Sequence, residues 1–264
     1  MTTHPSIDGT RLTTEAYLAH LDADVAAILD SATDLAADVP GCPGWTVRDL
    51  LSHVVGVYRH KIVALDTDAQ PEQQGFDSWG VIAEGADPRD VLREEHAALR
   101  ERLAARDASA PTYAWWPSEQ TVGFWQRRMA QETAVHRWDA QSAADGPDGA
   151  DPIDDDLAVD GVDELLGWLT WPWDEVPQPA ASGQSVLVST ADHSWTVTLH
   201  PTRVEVVGGS GGDAAESSAV ALVAGEPSGL LLHLWGRPGE HGIATGGDSV
   251  ALDLLRERLV MLAT

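Results

Sequence analysis

The spacing of hydrophobic residues changes once along this chain of 264 residues, near residue 180. Before that point, apolar side chains recur every three to four positions, which is typical of amphipathic helices. After it, apolar and polar side chains alternate in short segments, which is typical of strands with one buried face. The change predicts an α+β protein, in which a helical region precedes a smaller region that contains a sheet.

Four amphipathic helices are predicted in the first region, and two of them begin at recognisable signals. Thr46 and Asp49 approximate a capping box, because each side chain can bond the backbone of the other residue. Asp87 followed by Pro88 is a typical start for the third helix. Polar connections between such helices are typical of a four-helix bundle. The predicted helices cover residues 14–37, 47–65, 88 onwards and 121–144, with a loop over residues 66–85.

Residues 145–152 are the clearest linker in the chain, because aspartate, glycine and proline dominate them. The linker predicts one domain over residues 1–150 and a second over residues 151–264. The second domain is predicted to be a small α+β unit with an antiparallel sheet. Its predicted elements are a helix over residues 154–170, strands over 185–190, 195–199, 203–207 and 219–223, a short helix ending at residue 235, and a last helix over 249–262.

The charge of the chain excludes several classes of partner. It contains 16 Lys and Arg against 42 Asp and Glu, which gives a formal net charge of −26. Such an acidic chain repels nucleic acid and anionic membrane surfaces, so we expect neither as a partner. Residues 1–10 are polar and lack the apolar segment of a signal peptide, and no apolar run approaches the ~18 residues of a membrane span. A soluble, cytoplasmic protein with small-molecule partners is therefore predicted.

Cys42 is the only cysteine, so no disulfide can form within the chain. Its isolation fits a reducing compartment. Cys42 precedes the second helix and has no familiar metal-ligand spacing. We interpret it as a small, buried hydrophobic residue, with the alternative that it acts as a ligand or nucleophile.

A carboxylate and an imidazole lie one helical turn apart on the fourth predicted helix. Glu132 and His136 have the i, i+4 spacing that places two side chains on one helix face. An exposed helix pair is the simplest interpretation. However, Trp125 and Met129 precede them on the same stripe, and Asp139 follows. Because buried carboxylates are rare unless they are paired or bound to a metal, this stripe favours a metal site.

His53 provides a candidate third ligand from the second predicted helix. It lies beside Leu50 and Val57 on the apolar stripe of that helix, so we expect it to face the core. A core histidine with an ordinary hydrogen-bond partner is the alternative. Together, His53, Glu132 and His136 would suit Zn²⁺ or a similar divalent ion. Three protein ligands would leave open positions for water or substrate, as in catalytic zinc sites.

Three segments carry a resemblance to a known family. They are residues 43–53 (PGWTVRDLLSH), 132–140 (ETAVHRWDA) and 230–237 (LLLHLWGR). These segments resemble signatures of the mycothiol-dependent maleylpyruvate isomerase family. That family combines a DinB-like, metal-binding four-helix bundle with a small C-terminal α+β domain similar to sterol carrier proteins. The resemblance covers both predicted domains.

The resemblance implies roles for individual residues. His53, Glu132 and His136 would bind the metal, typically zinc, and Arg237 would reach the active site from the second domain. For Arg237, the alternative is a cation that complements the C-terminal end of a helix. Mycothiol, a low-molecular-weight thiol, would be the cosubstrate. Asp139 would either support a metal-bound histidine or remain an exposed acid.

These residues favour a metal- and mycothiol-dependent enzyme that adds a thiolate to a small electrophilic substrate. A Lewis-acidic metal lowers the pKa of a bound thiol, so that the thiolate exists at neutral pH. The addition would serve either a cis–trans isomerase of the maleylpyruvate type or a thiol S-transferase. The alternatives are a non-catalytic metal- or ligand-binding protein and a metal-dependent hydrolase. The complete ligand set and Arg237 favour the enzyme.

Overall fold

The structure is a computed structural model that describes residues 10–72, 78–210 and 219–262. These residues divide into two compact units, residues 12–151 and residues 152–262 with residues 10 and 11. The first is helical and the second contains a five-stranded mixed sheet, so the predicted α+β class is confirmed. Two predictions concern residues outside the described part of the chain: the lack of a signal peptide at residues 1–9, and the loop where it includes residues 73–77.

The first unit is the predicted four-helix bundle. Its helices are α1 (Thr14–Ser31), α2 (Val47–Thr67), α3 (Pro88–Ala105) and α4 (Val122–Asp145). α1 packs mainly against α4 and α2 mainly against α3, while α2 also contacts α4 and α1 contacts α3. The helices enclose a core in which Leu21, Leu50, Leu99 and Trp125 are fully buried. A short 3₁₀ turn, Pro147–Gly149, follows α4 within the predicted linker.

The predicted starts of α2 and α3 are confirmed. Thr46 is the N-cap of α2: its hydroxyl accepts from the backbone N–H of Asp49, whose carboxylate accepts from the backbone N–H of Thr46 at 2.8 Å. Asp87 caps α3, where its side chain accepts from the backbone N–H of Arg89 at 2.9 Å. Such bonds satisfy amide groups that have no partner within the helix. Both helices therefore begin where the sequence signals place them.

The first helix is shorter than predicted, because it ends at Ser31 and residues 32–37 lie outside it. The side chain of Asp34 accepts a hydrogen bond from the backbone N–H of Ala36 at 2.9 Å. A local bond of this kind competes with the bonds of a continuing helix. The apolar spacing that reaches Leu35 thus extends into the loop before α2.

The second unit contains three α-helices and five strands among its described residues. In chain order they are α5 (Asp155–Trp168), β1 (Gln184–Ser189), β2 (His193–Leu199), β3 (Val204–Ser210), β4 (Ala221–Ala224), α6 (Pro227–Leu234), β5 (Ala244–Gly247) and α7 (Ser249–Leu262). The sequence did not predict β5, because its four residues are exposed and show no apolar alternation. No described helix of either unit has the length and apolar content that crossing a membrane requires.

The sheet is mixed, with the strand order β3-β2-β1-β4-β5. β1 pairs parallel with β4, from Val186 opposite Ala221 to Ser189 opposite Ala224, and the other neighbouring pairs are antiparallel. The prediction of a wholly antiparallel sheet is wrong, because β4 does not pair with β3 through a hairpin and lies instead beside β1. α5 packs against α6, β2 and β3, whereas α7 packs mainly against β1 and β4.

Candidate metal centre

Neighbouring faces of α2 and α4 bring together three residues that the sequence singled out. His53 on α2 and Glu132 and His136 on α4 offer ligand atoms that lie within 4.8 Å of one another. Nε2 of His53 lies 3.2 Å from Oε1 of Glu132, and Nε2 of His136 lies 3.4 Å from the same oxygen. We call these three residues the ligand cluster. Two imidazole nitrogens, one from α2 and one from α4, thus face one carboxylate oxygen.

The local sequence explains where the ligand atoms lie. α2 begins after its Thr46 cap, so His53 lies two turns into the helix. Glu132 and His136 are one turn apart on α4, so both project from one face. Because α2 and α4 contact each other in the bundle, helix packing sets the positions of the ligand atoms.

His136 is the most enclosed residue of the ligand cluster. The side chain of His136 is 8% exposed, whereas those of Glu132 and His53 are 20% and 23% exposed. The prediction that His53 faces the core is thus only partly correct, because part of its ring remains exposed. Part of the ligand cluster is therefore in contact with solvent.

Glu132 is held as a carboxylate by its neighbours. Its second oxygen, Oε2, accepts a hydrogen bond from Nη2 of the buried Arg128 at 2.8 Å. Burial raises the pKa of Glu132, but hydrogen bonds from His136 and His53 and the charge of Arg128 together hold that pKa well below its usual range. Glu132 is therefore ionised at neutral pH and suited to bind a cation.

Asp139 orients the ring of His136. Nδ1 of His136 lies 3.0 Å from Oδ2 of Asp139, which is fully buried. Because a carboxylate only accepts hydrogen bonds, Nδ1 carries a proton, so Nε2, which faces Glu132, is the nitrogen that can bind a metal. Burial lowers the pKa of His136, but hydrogen bonds with Asp139, Cys42 and Glu132 raise it well above its usual value. The alternative that Asp139 remains an exposed acid is therefore wrong.

Cys42 is half-buried and contacts this pair, so the prediction of a buried hydrophobic residue is wrong. Its Sγ donates to Oδ2 of Asp139 at 3.5 Å. Cys42, His136 and Asp139 form a second group whose potential ligand atoms lie within 4.8 Å of one another. A metal in that group would compete with the hydrogen bond between His136 and Asp139. The ligand cluster is the better metal site, because it uses Nε2 and leaves this bond intact.

Trp45 covers both histidines of the ligand cluster, and the sequence had suggested no functional role for it. Its ring centroid lies 4.9 Å from that of His53 and 6.4 Å from that of His136. The loop before α2 positions it, with Gly44 in the left-handed backbone region at φ +87°. Its place in the sequence directly before the helix cap Thr46 was the one signal that could have indicated a position near α2. An indole over two imidazoles shields one side of the cluster from water.

Further along α2, Lys61 places a positive charge inside the bundle. Its Nζ lies 4.9 Å from the ring centre of Trp125 and 3.1 Å from Nδ1 of His60. Burial lowers the pKa of Lys61 to about 8, although Glu132 opposes this effect. Burial and the charge of Lys61 lower the pKa of His60 to about 4. His60 therefore interacts with Lys61 and does not belong to the ligand cluster.

Arg237 belongs to the second unit, where it follows α6 and the left-handed Gly236 (φ +70°). Its Nη1 donates to the carbonyl of Trp235 at 3.3 Å, and its guanidinium lies 6.0 Å from the Trp235 ring centre. Arg237 also lines a cavity of about 400 Å³ in this unit, whose apolar wall includes Leu252 and Leu255. A role for Arg237 at the ligand cluster stays a prediction.

The ligand cluster fits a tetrahedrally coordinated ion such as Zn²⁺. Zinc bonds of about 2.0–2.1 Å at tetrahedral angles place neighbouring ligand atoms roughly 3.3 Å apart. The two separations from Oε1 of Glu132, 3.2 and 3.4 Å, match this spacing. Two imidazoles and one carboxylate are also a common donor set of open catalytic sites. These residues can therefore hold a divalent cation and leave a position for one more ligand.

The helical unit is similar to a domain of a known family. The family model described as the mycothiol maleylpyruvate isomerase N-terminal domain matches residues 16–141. The match lies within the helical unit, and there it confirms the resemblance seen in the sequence. A comparison with curated protein sequences finds no match.

Two solved structures share the fold along nearly the whole chain. One is a crystal structure of mycothiol-dependent maleylpyruvate isomerase, with 15% sequence identity and a TM-score of 0.60. The other is a mutant of mycothiol-dependent maleylpyruvate isomerase in which one histidine is replaced by alanine, with 14% identity and a TM-score of 0.60. Each alignment covers 94% of this chain and 97% of the other chain. At these identities, the likeness shows a common fold.

Proposed function

We propose that this chain is a metal- and mycothiol-dependent enzyme that adds a thiolate to a small electrophilic substrate, with cis–trans isomerisation of the maleylpyruvate type as its reaction. The convergence of His53, Glu132 and His136, in a helical unit that matches the N-terminal domain of the mycothiol maleylpyruvate isomerase family, carries the proposal. The partial exposure of His53 supports it, because a reactant can approach the ligand cluster from that side.

The ligand cluster would hold the metal, most suitably Zn²⁺, through Nε2 of His53, Oε1 of Glu132 and Nε2 of His136. Such an ion, when bound, lowers the pKa of a coordinated thiol, so that mycothiol reacts as a thiolate at neutral pH. Asp139 holds the proton on Nδ1 of His136, so that Nε2 is the nitrogen left to bind the metal. Arg128 binds Oε2 of Glu132 and leaves Oε1 directed at the two histidines.

The proposed reaction needs no reactant other than the substrate and the thiol, because the thiol is regenerated. The thiolate adds to one carbon of a cis alkene that is conjugated with a carbonyl group, and the electron pair of the double bond moves onto the carbonyl oxygen as an enolate. The substrate then rotates about the carbon–carbon bond that was the double bond and is now single. The enolate re-forms the double bond and expels the thiolate, which gives the trans isomer. In this proposal Arg237 binds a substrate carboxylate or the enolate oxygen through its guanidinium.

The proposal is tested with purified, zinc-loaded protein, mycothiol and maleylpyruvate. We expect formation of fumarylpyruvate that requires both the metal and the thiol, measured by chromatography. His53→Ala should abolish it, whereas His96→Ala, on α3 and outside the ligand cluster, should retain it. Accumulation of a thiol conjugate in place of the isomer would identify an S-transferase. Absence of mycothiol binding in calorimetry would refute both reactions.

A further inference from the structure

A cleft lies beside the ligand cluster, at the side where His53 is exposed. Its volume is about 420 Å³, and His53 forms part of its lining. The cleft and the ligand cluster therefore share one side chain. We call this feature the α2 cleft. Its other lining residues are Gly44, Trp45, Asp49, Ser52, Gly56 and Gly80.

α2 provides one wall of the α2 cleft. Asp49, Ser52 and Gly56 follow one another at spacings of three and four residues, so they lie on one face of the helix. A Cβ atom added to Gly56 would lie 2.8 Å from the backbone nitrogen of Gly80, so the chain at Gly80 packs directly on the helix. Because neither glycine has a side chain, nothing projects from these two positions into the cleft.

The polar groups of the α2 cleft can bind hydroxyl groups. Both hydrogen bonds that Asp49 accepts from Thr46 end on Oδ2, at 2.8 and 2.6 Å, which leaves Oδ1 without a partner among the described residues. These bonds also lower the pKa of Asp49, so its carboxylate is charged at neutral pH. Ser52 lies on the same face and contributes a half-buried hydroxyl. The cleft thus offers a charged acceptor and a group that can both donate and accept.

The charge of the α2 cleft selects against anions. Among the lining residues that the structure describes there is neither Lys nor Arg, and Asp49 contributes a negative charge. A substrate with carboxylates would meet repulsion here and no cation. An uncharged, hydroxyl-rich ring would instead find hydrogen-bond partners and the apolar face of Trp45 for its C–H groups.

We infer that the α2 cleft binds the glucosamine–inositol part of mycothiol, an inference that rests on the proposed function. Mycothiol joins an acetylated cysteine to two hydroxyl-rich rings that carry no charge. His53 lies where the cleft meets the ligand cluster. The rings would lie along Ser52 and Asp49 while the sulfur reaches the ligand cluster. The α2 cleft would therefore select the thiol, and the anionic electrophile would bind elsewhere.

Calorimetry on the zinc-loaded, full-length protein tests the inference with three probes. They are mycothiol, N-acetylglucosaminyl-inositol, which lacks the cysteine, and N-acetylcysteine, which lacks the rings. Ser52→Leu fills the α2 cleft without removing a metal ligand or a helix cap. Its Kd for mycothiol should rise at least about 10-fold, while its Kd for N-acetylcysteine should stay within about 2-fold of the wild-type value. Ser31→Leu makes the same change at a half-buried position of α1 and should bind all probes as the wild type does.

Asp49→Asn provides a second variant with a smaller change in shape. It removes the charge at Oδ1 and should raise the Kd for mycothiol about 5-fold, with the helix content checked by circular dichroism. Wild-type affinity for mycothiol in both variants would overturn the inference and leave the proposed function standing. The wild type could instead bind N-acetylglucosaminyl-inositol but neither thiol, while Ser52→Leu no longer binds N-acetylglucosaminyl-inositol. In that case the proposed function fails and the assignment of the α2 cleft holds. Binding of none of the probes would overturn both.

Discussion

The ligand cluster between α2 and α4 has a counterpart between α1 and α3, where a carboxylate also meets a histidine. In the ligand cluster, Oε1 of Glu132 faces two imidazoles. In the counterpart, Oδ1 of Asp22 bonds Nε2 of His96 at 2.9 Å, and its Oδ2 accepts from Nε of Arg100 at 3.1 Å. We call Asp22, His96 and Arg100 the Asp22 cluster.

The two clusters differ in the number of imidazoles and in exposure. Each carboxylate also binds an arginine, but the side chain of Asp22 is 44% exposed and that of Glu132 is 20% exposed, so water competes more for the oxygens of Asp22. Burial lowers the pKa of His96 although Asp22 opposes this effect, whereas the contacts of His136 raise its pKa. A histidine beside a carboxylate therefore does not indicate a metal site by itself. Convergence of two imidazoles on one carboxylate oxygen is the stronger indication.

Removing one imidazole from each cluster tests this distinction most severely. His136→Ala should lower the affinity for Zn²⁺ by more than ~100-fold, because it deletes one of three ligands. His96→Ala should leave the zinc affinity unchanged. Mass spectrometry of metal content and competition with a chromogenic chelator measure both variants. A His136→Ala protein that keeps one zinc ion per chain with wild-type affinity would remove the distinction between the clusters.

Changing the carboxylate that supports each histidine should have a smaller effect. Asp139→Asn should lower the zinc affinity by about 10- to 100-fold, because a neutral amide replaces the charged acceptor that fixes the tautomer of His136. Asp22→Asn makes the same change beside His96 and should not alter zinc binding. Chelator competition measures the affinities, and thermal unfolding of the metal-free proteins controls for folding. Equal zinc affinities in the two variants would show that Asp139 does not position His136.

The pH dependence of zinc binding should follow His136 and not His96. The raised pKa of His136 means that zinc displaces a proton from Nε2 when it binds. The zinc affinity should therefore rise by up to about tenfold per pH unit as the pH rises towards that pKa, and level off above it. His96, whose pKa is lowered, is largely neutral at pH 7, so His96→Ala should keep the same profile. Calorimetry in buffers of different ionisation enthalpy counts the released proton, and a count of zero contradicts the prediction.

The helix caps should give the smallest effects. Thr46→Ala removes the capping box of α2, which carries His53, and should lower the free energy of unfolding by about 1 kcal/mol. Thr13→Ala removes the cap of α1, which carries Asp22, and should destabilise the protein by a similar amount. Urea unfolding measures both changes. Zinc affinity should change only in Thr46→Ala, by less than about 5-fold. A change of zinc affinity in Thr13→Ala would mean that the two clusters are coupled.

Much of the helical unit could be predicted because its signals are local. The caps at Thr46 and Asp87 involve residues two to three positions apart, and the spacing of Glu132 and His136 places both on one helix face. His53 was harder to assign, because the sequence does not state which faces of two helices meet. The resemblance to a family supplied that link, and the structure brings the three residues together.

The features that escaped prediction depend on contacts between distant residues. Trp45 and Cys42 reach the histidines because the loop before α2 packs against side chains of α2 and α4. Alternating apolar residues predicted β1 and β4 but not that they are neighbours, since a period of two gives no strand order. The exposed Ala-Thr-Gly-Gly of β5 pairs through its backbone alone, so its side chains carry no signal.

The strand order also determines when the sheet is vulnerable during synthesis. β1, β2 and β3 leave the ribosome before β4 and can form their antiparallel pairs at once. One edge of β1 then stays unpaired until β4 emerges, and an open strand edge is a template for pairing with another chain. A chain that ends prematurely after β3 would therefore be prone to aggregate. The strand at the centre of the finished sheet thus completes its pairing only after β4 has been made.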